Sequence, residues 1–140
     1  MKTKITTFVY CLGTTNMEGQ NAPLNAMGIL PLLNPEFIPS TFSFSIIVGL
    51  RGIDETCNHT MDIVFRNPNG EALVEAKNIV ISAEHWREGD KGLPEEYNGV
   101  MLGMDLRNVI MKSEGIYYTE VSFDGEKLGD YDIYVKAKQQ

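Results

Sequence analysis

The sequence lacks the features on which several classes of protein depend. Its 140 residues include 12 Lys and Arg against 19 Asp and Glu, a formal net charge of −7. An acidic chain presents no cationic field to a phosphate backbone, so we expect no general nucleic-acid binding. No apolar stretch approaches the roughly 20 residues that a transmembrane helix requires, so we also expect no insertion into a membrane.

We also expect no secretory leader. The apolar stretch Ile5 to Leu12 is interrupted by Thr6 and Thr7, and no small-residue cleavage site follows it. Cysteine is scarce, with Cys11 and Cys57 alone. The sequence therefore predicts a cytoplasmic protein in which both cysteines are free thiols.

Residues that carry chemistry are equally few. The two histidines are His59 and His85, and a zinc site that combined them with both cysteines would require distant segments to converge. No Gly-x-Ser-x-Gly elbow or glycine-rich phosphate loop occurs, and the paired carboxylates lie in polar stretches that water should reach. We expect no catalytic residues, no bound metal and no cofactor, and we interpret the chain as a non-enzyme.

What the sequence does contain is alternation of apolar and polar residues with a period of two. In the clearest run, Thr41 to Leu50, the side chains of Phe42, Phe44, Ile46 and Val48 share one parity. Such alternation places one row of side chains in a core and the other row in water. The pattern recurs from Thr60 to Phe65, from Val100 to Arg107, from Tyr117 to Phe123 and from Tyr131 to Ala137, and more loosely from Ile5 to Leu12.

Turn-forming residues separate these runs. Asn67-Pro68-Asn69-Gly70 places Pro where φ of about −65° is favoured and Gly where φ can be positive, which predicts a turn between two strands. Asp124-Gly125 is typical of a tight hairpin. From Glu71 to Ser82 we expect two strands or one bent strand, and from Pro94 to Tyr97 one helical turn. The sequence predicts a single all-β domain over residues 1–140, an antiparallel β-sandwich of about seven to nine strands.

The parity of the runs also predicts which side chains form the core. We expect them to come from two facing sheets, because each run has only one apolar row. The predicted core residues are Phe42, Phe44, Ile46, Met61, Ile63, Phe65, Leu102, Met104, Val121, Phe123, Ile133 and Val135.

One tyrosine is predicted to have a specific structural role. In Gly115-Ile116-Tyr117 a Gly-x-Tyr begins a strand near the C-terminus, as in the tyrosine corner of sandwich domains. We expect the Tyr117 hydroxyl to bond to the backbone between Asn108 and Glu114.

Short segments occur in a fixed order from about residue 5 to about residue 136. They are Asn25-Ala26-Met27-Gly28-Ile29, Pro39, His59-Thr60-Met61-Asp62-Ile63, Asn67-Pro68-Asn69-Gly70, Met104-Asp105-Leu106-Arg107-Asn108, Glu114-Gly115-Ile116-Tyr117 and Asp124-Gly125. As an ordered set they resemble a family of small bacterial and bacteriophage β-sandwich proteins of unknown function. The resemblance implies an immunoglobulin-like sandwich and supplies no catalytic residues. The segment from Ala83 to Gly99 is longer than the family pattern.

That long segment contains the candidate binding residues Glu84, His85, Trp86 and Arg87. A Trp flanked by ionisable residues on a loop is a common binding anchor. Alternatively, Trp86 folds back to cover one end of the sandwich. Both interpretations stay open.

We interpret the protein as an interaction or assembly module of unknown partner, which acts through strand edges or through the Ala83 to Gly99 loop. The partner is another protein or a second copy, so a homodimer is one option. Of the terminal strands, Ile5 to Leu12 carries no charge and is expected to be the less protected edge. The alternative is a small-molecule or carbohydrate-binding sandwich, because Tyr118 and Tyr134 lie on the parity opposite the core.

Overall fold

The structure is a computed structural model that describes residues 3–16, 23–83 and 93–138. Within these residues the chain forms eight β-strands and one short 3₁₀ helix, Glu95–Tyr97, which confirms the helical turn expected there. The strands are β1 Lys4–Asn16, β2 Leu24–Ile29, β3 Ser40–Arg51, β4 His59–Arg66, β5 Ala72–Ile81, β6 Gly99–Met111, β7 Gly115–Phe123 and β8 Glu126–Val135.

The strands form two four-stranded sheets, in the orders β2-β1-β3-β6 and β5-β4-β7-β8. Every pairing between these strands is antiparallel. The predicted all-β antiparallel sandwich is therefore confirmed. We call the first sheet A and the second sheet B.

The predicted turns also occur. The amide of Gly70 donates to the carbonyl of Asn67 at 2.9 Å, which closes the turn between β4 and β5. Asp124 and Gly125, with φ of 50° and 82°, form the two-residue turn between β7 and β8. Strand β5 is one strand that bends where Asn78 adopts a φ of 58°.

The core lies between the sheets, where the alternate side chains of each strand meet. The rings of Phe44 in sheet A and Phe65 in sheet B are 5.2 Å apart between centroids. Nine of the twelve predicted core residues are buried, and the other three, Phe42, Leu102 and Met104, are only partly buried. Leu102 and Met104 are less buried because β6 is the last strand of its sheet.

The outer face of β3 is buried as well, which the alternating pattern does not predict. Ser45 is 3% exposed and Ile47 6%. The hairpin of β1 and β2 bends over this face: a Cβ added to Gly103 in β6 would lie 3.5 Å from the side chains of Thr14 and Leu24. The hairpin therefore shields side chains that would otherwise face water.

The predicted tyrosine corner is present. Tyr117 is buried at the start of β7, and its hydroxyl donates to the carbonyl of Ser113 at 2.7 Å. This bond ties the β6–β7 connection to the core.

Candidate functional site

The four residues that the sequence indicates as a binding loop, Glu84, His85, Trp86 and Arg87, lie outside the described residues. Their role in binding stays a prediction. The segment before them is held in place, because the amide of Ala83 donates to Oδ1 of Asn58 at 2.7 Å.

A polar cluster among the described residues surrounds His59, the first residue of β4. His59 is 8% exposed, and its ring stacks on Phe123 with 5.0 Å between centroids. Its Nδ1 is 2.7 Å from Oδ2 of Asp124, and its Nε2 is 2.7 Å from the carbonyl oxygen of Asp54. Asp124 also accepts the amide of Thr60 at 3.0 Å. The imidazole thus joins the loop before β4 to the β7–β8 turn.

The protonation of this cluster follows from its partners. Burial lowers the pKa of His59, but the hydrogen bonds to Asp124 and to the carbonyl of Asp54 outweigh burial and raise it overall. Burial raises the pKa of Asp124, while the bonds from His59 and Thr60 lower it, and the net result is a lowered pKa. With acceptors at both nitrogens, the imidazolium donates in both directions.

Cys57 completes an arrangement that resembles a Cys-His-Asp triad, with Sγ 3.6 Å from Nε2 of His59. Desolvation and the nearby carboxylates of Asp54 and Asp124 raise the pKa of Cys57, which disfavours the thiolate that a nucleophile requires. In addition, Nε2 already faces the carbonyl of Asp54. The geometry therefore favours a structural clamp over nucleophilic chemistry.

Of the candidate metal ligands, Cys57 and His59 lie together, and His85 lies outside the described residues. Cys11 is buried in sheet A, whereas Cys57 is exposed beside sheet B, and both are free thiols. Across residues 3–16, 23–83 and 93–138, no group of three or more His, Cys, Asp or Glu side chains is placed to hold a metal ion.

Most strand edges of the sandwich are protected. The far edge of β8 is covered by the segment before β3, because Leu33 donates to the carbonyl of Tyr134 and accepts the amide of Lys136, at 2.9 and 3.0 Å. Strand β5 carries Glu75, Lys77 and the bend at Asn78, and β2 has only six residues. Charges, irregular backbone and short length all discourage pairing with another chain.

The expected open edge, Ile5 to Leu12, is covered only in part, because β2 pairs with β1 from Cys11 onward and no strand among the described residues pairs with the other side of Ile5 to Val9. Strand β1 lies inside sheet A, with β3 on one side and β2 on the other side of its second half. Its first half packs Phe8 on Tyr131, with ring centroids 4.4 Å apart. The sequence does not reveal that a second strand would follow β1 and cover its second half.

Strand β6 is the longest edge with which no other strand among the described residues pairs, although the side chains of Thr14 and Leu24 reach its outer face at Gly103. It has 13 residues and only two charged side chains, Asp105 and Arg107. The amide of Gly52 donates to the carbonyl of Asn98, so the backbone carbonyl of Asn98 faces β3. In a strand the backbone groups of successive residues point to opposite sides. Those of Met101, Gly103 and Asp105, which are an odd number of residues from Asn98, therefore point away from β3. No strand among the described residues pairs with this side of β6.

The two tyrosines of the alternative hypothesis lie close together on the outer face of sheet B. Tyr134 is 50% exposed and lies opposite Ile116, and Tyr118 lies two register positions along, opposite Asp132. Tyr118 is half-buried. The pair forms a small aromatic surface at one end of the sheet.

No helix among the described residues has the length and apolarity needed to cross a membrane. The search of curated proteins returned no match.

Two solved structures resemble this chain at low sequence identity. One is an alkylpurine DNA glycosylase of Pseudomonas fluorescens bound to DNA with an abasic site analogue (12% identity, TM-score 0.51, 96% of this chain and 30% of the glycosylase chain). Another is a β-glucosidase of Listeria innocua in complex with gluconolactone (10% identity, TM-score 0.45, 92% of this chain and 16% of that chain). This chain thus spans less than a third of either protein, and the likeness to the glycosylase concerns the fold alone.

The family comparison covers most of the sequence. The model of DUF6941, a family of unknown function, matches residues 14–136. The resemblance to a family of unknown function is confirmed: the chain belongs to DUF6941.

Proposed function

We propose that this protein is a non-enzymatic interaction module that binds an extended strand of a protein partner along the free edge of β6. The observation that carries the proposal is that Met101, Gly103 and Asp105 direct backbone donors and acceptors outward from an edge strand. An added strand would satisfy these groups, as in other proteins that extend a sheet with a partner's peptide.

The side chains of β6 support the same proposal. Met101 is 48% exposed on the outer face, and Leu102 and Met104 are only partly buried on the inner face. A strand added beside β6 would cover all three. Apolar surface that a partner removes from water contributes about 25 cal/mol per Å² to the gross binding free energy.

The environment of His59 supports a role without catalysis. Its two ring nitrogens face Asp124 and the carbonyl of Asp54, so neither is available to take a proton from a substrate. The raised pKa of Cys57 argues against its use as a nucleophile.

Photo-cross-linking in the cells that make the protein tests the proposal. A photoreactive amino acid replaces Met101 in one variant and Val80, an equally outward residue of β5, in the control. We expect a cross-linked adduct of defined mass at position 101 that exceeds any adduct at position 80. If irradiation gives no more adduct at 101 than at 80, the β6 edge does not bind a partner.

We also infer that the sandwich is immunoglobulin-like. When β2 is set aside, the order of strands in sheet A is β1-β3-β6, which matches strands A, B and E of an immunoglobulin domain. The order in sheet B is β5-β4-β7-β8, which matches strands C′, C, F and G. The tyrosine corner at Tyr117 supports this assignment, because such a tyrosine lies near the start of strand F.

The state of the cysteines supports action in the cytoplasm, which we propose as the location. Cys57 is exposed and unpaired, and exposed thiols persist best where the surroundings are reducing. Labelling Cys57 in intact cells with a thiol reagent that crosses membranes, but not with one that cannot, would support this location; equal labelling by both would contradict it.

A second candidate function is the binding of a carbohydrate by Tyr118 and Tyr134. Their shared face and the neighbouring carboxylate of Asp132 favour it, because sugars stack on aromatic rings and donate hydroxyls to carboxylates. Thermal unfolding with millimolar glucose, galactose and N-acetylglucosamine oligomers tests it. Stabilisation by one sugar that Tyr134→Ala abolishes would support this function, and no stabilisation by any of them would reject it.

A further inference from the structure

We propose that the strand bound along β6 is β6 of a second copy of this chain, paired antiparallel about a two-fold axis at Gly103. The inference rests on the proposed function, since it requires that the β6 edge accepts a strand. It adds the identity of that strand and its register.

The backbone of β6 limits the register. Asn108 has a φ of 53°, and the pairing with β3 shifts between Phe42 and Phe44, so the regular edge ends at Arg107. It begins at Gly99, where the 3₁₀ turn gives way to the strand. The regular segment therefore has Gly103 at its centre. A two-fold axis at Gly103 pairs the regular segment of one copy with that of the other over its full length. The outward backbone groups of each copy then lie opposite those of the other.

In this register the inner faces of the two copies complement each other. Leu102 of one copy lies opposite Met104 of the other, and Val100 lies opposite Leu106. Leu102 and Met104 are core residues that the single chain leaves partly buried. Pairing would complete their burial and extend the core across the two-fold axis.

The ends of the strand complement each other as well. Tyr97, 58% exposed, precedes β6, and Ile110, 54% exposed, lies near its end. Antiparallel pairing brings the start of one strand beside the end of the other. The two exposed apolar side chains would therefore lie near each other at both ends of the contact.

Charge opposes association over long range but not at the edge itself. Each copy carries a net charge of −7, and these charges repel. The edge carries one charge of each sign, Asp105 and Arg107, in contact at 3.4 Å. Added salt screens the long-range repulsion, so we expect the dimer to tighten between low and moderate ionic strength.

The register predicts that two substitutions of Met101 change the dissociation constant of the dimer in opposite directions. Met101 of each copy lies opposite Asp105 of the other. Met101→Asp therefore places like charges in two symmetric pairs, whereas Met101→Lys places opposite charges there. At low salt we expect the dissociation constant to rise with Asp and to fall with Lys, by about 2- to 30-fold in each case. Val80→Asp and Val80→Lys make the same charge changes on β5 and serve as controls.

Light scattering on the purified full chain, over a concentration series reaching about 100 µM, measures these constants. The mass should rise from 15.7 kDa towards twice that value, with the Val80 variants nearly unchanged. A mass of 15.7 kDa at every concentration would overturn the inference, and weakening by both Met101 substitutions would overturn the register. In either case a cross-link from Met101 to a different protein would leave the proposed function standing.

Discussion

The hydroxyl of Tyr10 connects the two sheets through the core, and its removal should have a measurable cost. It donates to the carbonyl of Tyr131 at 2.6 Å and accepts from Oγ1 of Thr119 at 2.7 Å. Thr119 is completely buried and Tyr10 is 7% exposed, so water cannot replace the lost bonds. In Tyr10→Phe the ring still packs against Phe8 and Phe44. With a net contribution of about 1 kcal/mol per bond and the penalty for unpaired buried groups, we expect a loss of about 1–3 kcal/mol in the free energy of unfolding.

Urea unfolding of a double-mutant cycle tests this estimate. Thr119→Val preserves shape and removes the hydroxyl that Tyr10→Phe would leave unpaired. The double variant should therefore lose less stability than the sum of the two single variants, by about 0.5–1 kcal/mol. Tyr134→Phe, at a half-exposed position, is the matched control and should change stability by less than about 0.5 kcal/mol. A loss below about 0.5 kcal/mol for Tyr10→Phe, with an unchanged m-value, would refute the argument.

Three further predictions concern other buried contacts. Because the folded-state pKa of His59 is raised above 6.5, the stability from its imidazolium is fully present below pH 6.5 and is lost as pH rises through the folded pKa. Urea unfolding from pH 6 to 9 should show a decline in the free energy of unfolding that His59→Gln lacks. Parallel pH profiles for the two proteins would contradict this prediction. Tyr117→Phe should lower the free energy of unfolding by about 1–2 kcal/mol, because the carbonyl of Ser113 loses its donor, and no change in the urea midpoint would count against the tyrosine corner. Gly99→Ala should lower the thermal midpoint sharply or prevent folding, because the added Cβ would lie 2.2 Å from the carbonyl oxygen of Leu50. A midpoint equal to that of the wild type would contradict this close approach of the two backbones.

The sequence predicts the strands well because alternation reports directly on which side chains leave water. The run from Thr41 to Leu50 shows this, and it forms most of β3. The same periodicity carries no information on which strand lies at an edge. Leu102 and Met104 share the parity of core residues yet remain partly exposed, because β6 has a neighbour on one side only.

Contacts between residues far apart in the sequence are the other limit. The segment from Leu24 to Ile29 has no clear alternation, so the hairpin that buries Ile47 could not be predicted. The sequence predicts the strand from Thr60 to Phe65, and His59 is the first residue of β4. The pairing of His59 with Asp124, 65 positions away, depends on the β4–β7 register that brings Met61 opposite Phe123. Local sequence patterns do not predict that register.

The central claim is that the outward amides of β6 are unpaired in the single chain and become paired on binding. Residue-resolved amide hydrogen exchange by NMR, at concentrations below and above the association seen by light scattering, measures this directly. We predict that Met101, Gly103 and Asp105 exchange rapidly in dilute protein and become protected as the complex forms, while Leu102 and Met104, bonded to β3, stay protected throughout. Protection of Met101, Gly103 and Asp105 in protein dilute enough to be monomeric would contradict the claim.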